Sequence, residues 1–272
     1  MHHTVPAEEN VKILWTGGWD STFVLLRTLL EEKRGAIPYY LIDADRRSTG
    51  AELRTMKKIK EELFRLHPAC RSRVAPTRFA AVSDLEANQC ITEAYRVVCG
   101  KNYLGSQYEW LARYCNQYGI HDMQLCIHRD DKAHDAIVRM VSPAGDSARS
   151  WRRIDRRFET TAEYALLGSF VFPAFTLSKP EMAATAARRG WSALMNMTWF
   201  CHNPTSLMQP CGRCNPCLYT IEEGLGWRIP PINRMMAIAY GRPLQAIKMA
   251  AKTALYRAGN GRPALSAAGD PR

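Results

Sequence analysis

Two short stretches of this 272-residue chain place chemically useful side chains close together. The first is Thr16-Gly17-Gly18-Trp19-Asp20-Ser21-Thr22. Its two glycines let the backbone approach an anion closely, and the amides opening a following helix point toward it. With hydroxyls from Thr16, Ser21 and Thr22 as further donors, the segment suits a pyrophosphate group. It has neither the lysine of a Walker loop nor the third glycine of a dinucleotide fingerprint. A plain strand-to-helix turn capped by Asp20 is the simpler alternative. The second stretch holds Cys201, Cys211, Cys214 and Cys217, the last three within Cys-Gly-Arg-Cys-Asn-Pro-Cys. Four thiolates at this spacing can close a tetrahedral shell around Zn2+, with Gly212 and Pro216 favouring tight turns. A closed shell leaves no position for a reacting water, which makes the metal structural. An iron–sulfur cluster is the competing occupant, because cysteine ligation alone does not fix the metal. Cys70, Cys90, Cys99, Cys115 and Cys126 show no ligand spacing and read as ordinary thiols.

The elements that must position these residues alternate along the chain. Residues 11–15 form a short apolar run ending at the glycines, after which Phe23, Leu26 and Leu30 follow at helical spacing. Residues 38–42 form a second apolar run. Leu53, Met56, Ile59, Leu63 and Leu66 mark one face of a helix over 52–66, with Lys57, Lys58, Lys60, Glu61 and Glu62 opposite. Further strands are expected at 73–75, 123–127 and 170–172, and a helix at 107–118. Residues 164–175 as a whole read as a buried strand candidate, too short for the ~20 residues of a membrane span. Ser178 and Glu181 form a capping-box pair with Pro180 in the first turn, and Gly190 marks the end of that helix. Strands apolar on both faces, alternating with helices, predict an α/β fold: a parallel sheet with helices on both faces. Ligands of such sheets sit beyond the carboxyl ends of the strands.

Charge is unevenly placed. Of the net +11, the segment 228–272 carries +7 and the rest of the chain only +4. The segment contains Leu244, Ile247, Ala251 and Leu255 at helical spacing beside Lys248, Lys252 and Arg257. Residues 259–272, rich in Gly, Pro, Ala and Ser, read as a mobile end. A second basic cluster, Arg149, Arg152, Arg153, Arg156 and Arg157, reads as a solvated surface or a subunit interface, as in a homodimer. The balance raises a nucleic-acid or protein partner for the C-terminal extension. Residues 1–10 contain two His and two Glu and no apolar stretch, so a cytoplasmic protein without a membrane partner is expected.

Residues 16–22 resemble the S-G-G-x-D-S signature of the PP-loop ATP pyrophosphatases, with Thr16 in the first position. Together with Leu-Ser-Lys-Pro-Glu-Met at 177–182, Thr-Trp-Phe-Cys at 198–201, the Cys-Gly-x-Cys-x-x-Cys run and a helix ending at Gly224, the chain resembles the 7-cyano-7-deazaguanine synthases over roughly 11–228. That resemblance implies an adenine nucleotide alpha hydrolase-like fold in three parts. These are an ATP-binding domain at 11–200, a small zinc-binding segment with four cysteine ligands at 201–228 and a basic, helical extension at 229–272. It further implies ATP held by Thr16, Gly17, Gly18, Trp19, Asp20, Ser21 and Thr22, Mg2+ on Asp20, and Lys179 reaching the phosphates. The implied activity is adenylation of 7-carboxy-7-deazaguanine, displacement of AMP by ammonia, and a second ATP-dependent dehydration to the nitrile.

Two segments depart from the family pattern: Leu-Gly-Ser-Gln-Tyr-Glu-Trp at 104–110 and His-Arg-Asp-Asp-Lys at 128–132. They stand where the family recognises its acid, so the substrate itself is the open point. Asp43 and Asp45, following the second apolar run, are candidate ribose or metal contacts, or solvated loop acids. Related readings are a PP-loop enzyme that attaches an activated deazapurine acid to a macromolecule, in DNA modification or antiviral defence, and a tRNA-thiolating enzyme. From a different class, the chain reads as a zinc-containing nucleic-acid-binding protein without catalysis.

Overall fold

Alternating side chains on short parallel strands build two apolar layers here. Along β1 (Val11–Leu14), Ile13 and the following Trp15 face one layer while Leu14 faces the other. The same alternation separates Tyr40 from Tyr39 and Leu41 on β2 (Ala36–Ile42). The first layer packs against α1 (Trp19–Leu26) and α2 (Thr49–Leu66). The second packs against α3 (Gln89–Lys101) and α4 (Gln107–Gln117), which follow β3 (Arg78–Ala81). The computed structural model describes residues 10–102, 104–144, 151–237 and 239. The chain divides into two compact units, with the division between Trp199 and Phe200.

The remaining elements of the first unit are β4 (Met123–Gln124), α5 (Lys132–Ile137), a hairpin of β5 (Val141–Pro143) and β6 (Arg152–Ile154), α6 (Ala162–Leu167), β7 (Phe170–Val171), α7 (Lys179–Arg188) and α8 (Ser192–Asn196). The five-stranded sheet runs β3-β2-β1-β4-β7 and every pairing is parallel. Helices α1, α2, α7 and α8 contribute to one apolar layer and α3 to α6 to the other. This is the expected α/β fold with helices on both faces. The chain moves outward from β1 to β2 and β3, then returns to place β4 on the other side of β1. The strand order therefore reverses between β1 and β4, where doubly wound sheets open a crevice at their carboxyl ends.

Three strand expectations are corrected. The third strand lies at 78–81 rather than 73–75, where Val74 forms only an isolated bridge to Ala36. The edge position explains the miss: Phe79 is exposed and Arg78 faces solvent, so no buried apolar run announces it. The fourth strand is confined to Met123–Gln124. Of the apolar stretch 164–175, residues up to Leu167 belong to α6, because Thr161 Oγ1 accepts from the Tyr164 amide and starts a helix. Only Phe170–Val171 is strand. By contrast, the capping box at Ser178 and Glu181 is complete, and Gly190 follows α7 with φ of 73°.

The second unit contains α9 (Asn215–Glu222) and α10 (Pro231–Met236), with Leu218, Ile229 and Ala237 buried alongside three of the four cysteines. Residues 1–9, Arg149 and the basic segment bearing Leu244, Ile247, Lys248, Ala251, Lys252, Leu255 and Arg257 lie outside the described residues, as do residues 259–272. Among the described residues, no helix is long and apolar enough to cross a membrane.

Candidate active site

The glycine segment follows β1 and leads into α1, at the sheet's carboxyl edge beside the strand-order reversal. Gly17 has φ of 70°, and a Cβ on it would lie 3.2 Å from both Met56 Cγ and Thr55 Cγ2. Glycine is thus required twice, by the backbone and by α2 behind it. The Gly17 carbonyl accepts from the Trp199 amide at 2.9 Å, so the Thr198-Trp199 motif braces the loop from behind. Gly18 is the N-cap of α1 and no side chain caps the helix. Asp20 Oδ1 makes no capping bond, so the capped-turn alternative for Asp20 is not borne out, and a helix start that its N-cap residue leaves uncapped suits an anion.

The hydroxyls of the loop differ in their duties. Thr16 Oγ1 accepts weakly from the Gly18 amide at 3.4 Å, and Ser21 Oγ donates to the Gly18 carbonyl at 3.4 Å. Thr22 is fully buried and its Oγ1 accepts from the Trp15 indole at 3.0 Å. The expectation that Thr22 donates to an anion is corrected, since its hydroxyl faces the core and fastens the end of β1 to α1.

Asp20 lies in the first turn of α1, and its Oδ1 is a buried atom without a hydrogen-bond partner. Across the reversal, the segment following β4 brings His128 Nε2 to 3.7 Å from that oxygen. Residues 128–131 then turn sharply around local bonds. The Asp130 amide donates to His128 Nδ1 at 3.1 Å, and Asp131 Oδ1 accepts from the Ala133 amide at 3.0 Å to cap α5. Tyr108 Oη donates to Asp131 Oδ2 at 3.4 Å. Burial first, then the Asp131 carboxylate, raises the Tyr108 phenol well above its ordinary value. The segments 104–110 and 128–132 therefore meet.

Lys179 begins α7, half-buried, and its backbone amide donates to Asp130 Oδ2 at 2.8 Å. Arg129 donates to the Thr176 carbonyl and pairs with Glu181 at 3.5 Å. This clamp ties the end of β4 to the start of α7, on the same edge as Asp20. The local bonds leave His128 as the member of the segment that faces Asp20. Sequence spacing gave no sign of it, because the two residues become neighbours only through the strand order.

Asp43 and Asp45 follow β2 at the same edge. Asp43 Oδ1 accepts from the Asp45 amide at 3.0 Å, and Asp45 is exposed, so the pair shapes a turn. Beneath it, Glu52 is buried and accepts from Tyr40 Oη at 2.9 Å and Ser48 Oγ at 2.6 Å, with Arg46 Nε at 3.2 Å. Burial and the Glu52 charge both raise the Tyr40 phenol. This network fixes the first turn of α2, which continues to the Thr55 and Met56 that support Gly17.

In the second unit, Cys201, Cys211, Cys214 and Cys217 offer sulfur atoms that all lie within 4.8 Å of one another, so they could hold a metal ion. Individual Sγ separations are 3.4 Å for Cys214 and Cys217, 3.8 Å for Cys201 and Cys214, and 4.0 Å for Cys211 and Cys217. Backbone amides support the thiolate form: Cys211 donates to Cys201 Sγ at 3.2 Å and Arg213 to Cys211 Sγ at 3.3 Å. The neighbouring thiols of Cys201 and Cys217, then backbone amides including that of His202, hold Cys214 well below the usual thiol value. Gly212 has φ of 75°, and a Cβ there would strike the Asn233 carbonyl at 2.2 Å, while Asn233 Nδ2 donates to the Pro210 carbonyl at 2.8 Å. Thus α10 closes tightly over the knuckle. Nearby in the chain, Arg228 stacks 4.9 Å from the Phe200 ring centre, and burial lowers its guanidinium to about 10.

Of the Arg-rich cluster, Arg152 and Arg153 lie on β6, with Arg153 pairing to Asp122 at 2.9 Å, while Arg157 pairs with Asp155 at 3.7 Å. Cys70 and Cys115 are buried, Cys99 and Cys126 half-buried and Cys90 exposed, and all five are free.

Fold and site define a doubly wound α/β protein with a glycine loop at its switch point and a separate four-cysteine centre. No protein-family model and no curated protein matches the chain. Among solved structures it is similar to the U34-tRNA thiolase NcsA from Methanococcus maripaludis with its [4Fe-4S] cluster. The identity is 12% and the TM-score 0.37, over 90% of this chain and 75% of that one.

Proposed function

We propose that this chain is an ATP-dependent enzyme that adenylates the carboxylate of a 7-carboxy-7-deazaguanine-like acid and converts it with ammonia to the amide and nitrile. The observation that carries the reading is the buried, unpartnered Oδ1 of Asp20, set beside a helix N-terminus without a side-chain cap at the strand-order reversal. A carboxylate so placed, one oxygen buried and the group still reached by solvent, fits a divalent cation, and the first-turn amides fit the pyrophosphate that accompanies it. Mg2+ would be held by Asp20 and would spread the charge of the departing pyrophosphate.

A carboxylate resists attack because its leaving group would be oxide. Its oxygen attacks the α-phosphorus of ATP, and pyrophosphate leaves toward the amides after Gly18. Gly17 keeps the backbone close enough for those amides to reach it. Ammonia then attacks the acyl carbon, AMP departs, and one proton passes to solvent. For the nitrile, the amide oxygen attacks the α-phosphorus of a second ATP and expels pyrophosphate, and the O-adenylate then loses AMP while its two nitrogen-bound protons pass to solvent. Lys179, at the head of α7, would steady the phosphates from the opposite side of the crevice.

The four cysteines would hold zinc. Three of their Sγ separations, 3.4, 3.8 and 4.0 Å, lie about the edge of roughly 3.8 Å expected of a tetrahedron with Zn–S bonds of about 2.3 Å, and all four sulfurs fall within 4.8 Å of one another. A four-iron cluster interposes sulfides and spreads its cysteines further. With four protein ligands the ion is structural, bracing the knuckle beneath α10.

Transfer of the activated acid to a macromolecular amine is the second reading. It is favoured because Arg129, Asp130 and Asp131, in the segment through which the synthases that the chain resembles recognise their acid, are engaged within the protein. One incubation tests both: purified protein, ATP, Mg2+ and the carboxy-deazaguanine, with ammonia or a nucleic-acid acceptor, read by AMP release and product mass. AMP with a mass shift on the small molecule supports the first reading, and a shift on the acceptor supports the second. Absence of acid-dependent AMP release sinks both, and salt-sensitive nucleic-acid binding without it would point to the non-catalytic alternative.

A further inference from the structure

His128 is 5% exposed and opens one of the two segments that depart from the pattern of the synthases the chain resembles. Its ring is held from one side by the Asp130 amide, which donates to Nδ1 at 3.1 Å. An amide N–H cannot accept, so that nitrogen presents its lone pair and the ring proton resides on Nε2. Asp130 also brings Oδ2 to 3.8 Å from Nδ1, beyond hydrogen-bond reach, and that carboxylate oxygen already accepts from the Lys179 amide at 2.8 Å. The protonated Nε2 therefore faces Asp20 Oδ1, the buried oxygen with no other partner, at 3.7 Å.

We propose that His128 is a positioning residue for Asp20: fixed as its Nε2–H tautomer by the Asp130 amide, it donates to Asp20 Oδ1 and aims the other carboxylate oxygen at the cation that accompanies ATP. The proposal rests on the adenylating reading above. A contraction of roughly 0.5–1 Å converts the observed approach into a hydrogen bond, and catalytic contacts commonly tighten when ligand binds. The arrangement parallels the way a neighbouring donor or acceptor orients a metal-binding side chain. It also excludes His128 as the base that takes the proton of incoming ammonia, since Nε2 has no lone pair to offer in this tautomer. The other titratable groups around His128 and Asp20 are Asp130 and Asp131 in the same segment as His128, Tyr108 on α4 and the Cys126 thiol just after β4, which burial and the Asp20 charge keep protonated. Asp130 and Asp131 are tied to the amides of Lys179 and Ala133, and Tyr108 to Asp131.

Two measurements on the full chain test this. Long-range nitrogen–proton NMR of 15N-labelled protein should show the His128 proton on Nε2. A proton on Nδ1 overturns the proposal, whatever the protein's activity. Equilibrium dialysis of ATP against increasing Mg2+ then compares wild type with H128Q, H128N and H128A, each checked by thermal melting. Glutamine places its amide nitrogen near the Nε2 position and asparagine near Nδ1. The Mg2+ concentration at half-saturation should rise at least about tenfold in H128N and H128A and stay within about threefold in H128Q. Equal behaviour of all four proteins, or an H128Q loss as large as that of H128A, overturns the positioning role. A wild type without Mg2+-dependent ATP binding overturns the adenylating reading itself, and the role with it.

Discussion

Gly17 stands back to back with Met56: a Cβ on the glycine would lie 3.2 Å from Met56 Cγ, and its φ of 70° is one that side chains rarely adopt. Gly17→Ala should therefore destabilise the loop by about 1–2 kcal/mol from backbone strain alone, before any clash is counted. ATP binding should fall further than the melting temperature suggests, because the loop moves away from the position its amides need. Calorimetry alongside ATP dialysis measures both, and an unaltered ATP affinity would contradict the loop's assigned role.

Asp20→Asn keeps shape and removes charge. Acid-dependent AMP release should drop by about 100- to 1000-fold, the scale of losing one preorganised electrostatic contact. The melting temperature should hold, because Asp20 neither caps α1 nor makes a hydrogen bond through Oδ1. Steady-state AMP assays checked by melting curves decide this. A fully active variant removes Asp20 from the mechanism.

Thr22→Val separates a structural hydroxyl from a phosphate ligand. The change leaves the buried Trp15 indole N–H without its acceptor and should cost about 1–3 kcal/mol. KM for ATP should remain close to wild type in the folded protein. If KM rises while the melting temperature stays fixed, Thr22 contacts phosphate after all.

These cases show what local sequence can and cannot disclose. The glycine loop, the long helix expected over 52–66 and found at 49–66, and the capping box at Ser178 were legible because each is encoded within a few residues. The edge strand was not: Arg78 and Phe79 face solvent, so burial leaves no apolar signature. Nor was the helical start of 164–175, where one threonine at 161 outweighs a run that suits either element. Asp20 could be picked out by motif, while His128 could not. Its place depends on β4 returning to the far side of β1, a property of the whole chain.

Zinc removal and cysteine replacement should act on the second unit. The purified protein should contain about one zinc per chain and no visible absorption from iron–sulfur charge transfer. Cys217→Ser should lower metal content and unfold the knuckle, detected by metal analysis and by proteolysis after Gly212. Iron and acid-labile sulfide in stoichiometric amount would replace the zinc assignment.

Thiol reactivity should follow burial. Burial raises the Cys115 thiol to about 12, so at about pH 8 its reactive thiolate is scarce. Cys90 is exposed. Native protein treated with iodoacetamide under those mildly alkaline conditions should be alkylated at Cys90 and spared at Cys115, as peptide mass spectrometry would show. Rapid labelling of both would indicate that the α4 layer opens readily.

The sheet is unequally laced. Four residue pairs join β1 to β2 and four join β2 to β3, whereas a single pair joins β1 to β4 and two join β4 to β7. Asp20 and His128 stand on opposite sides of that thin seam. A fluctuation that parts the seam would dismantle the site while leaving the β1–β3 half intact. A ligand spanning both sides would act as a stitch, and amides of β4 and β7 should exchange hydrogen more slowly once it binds.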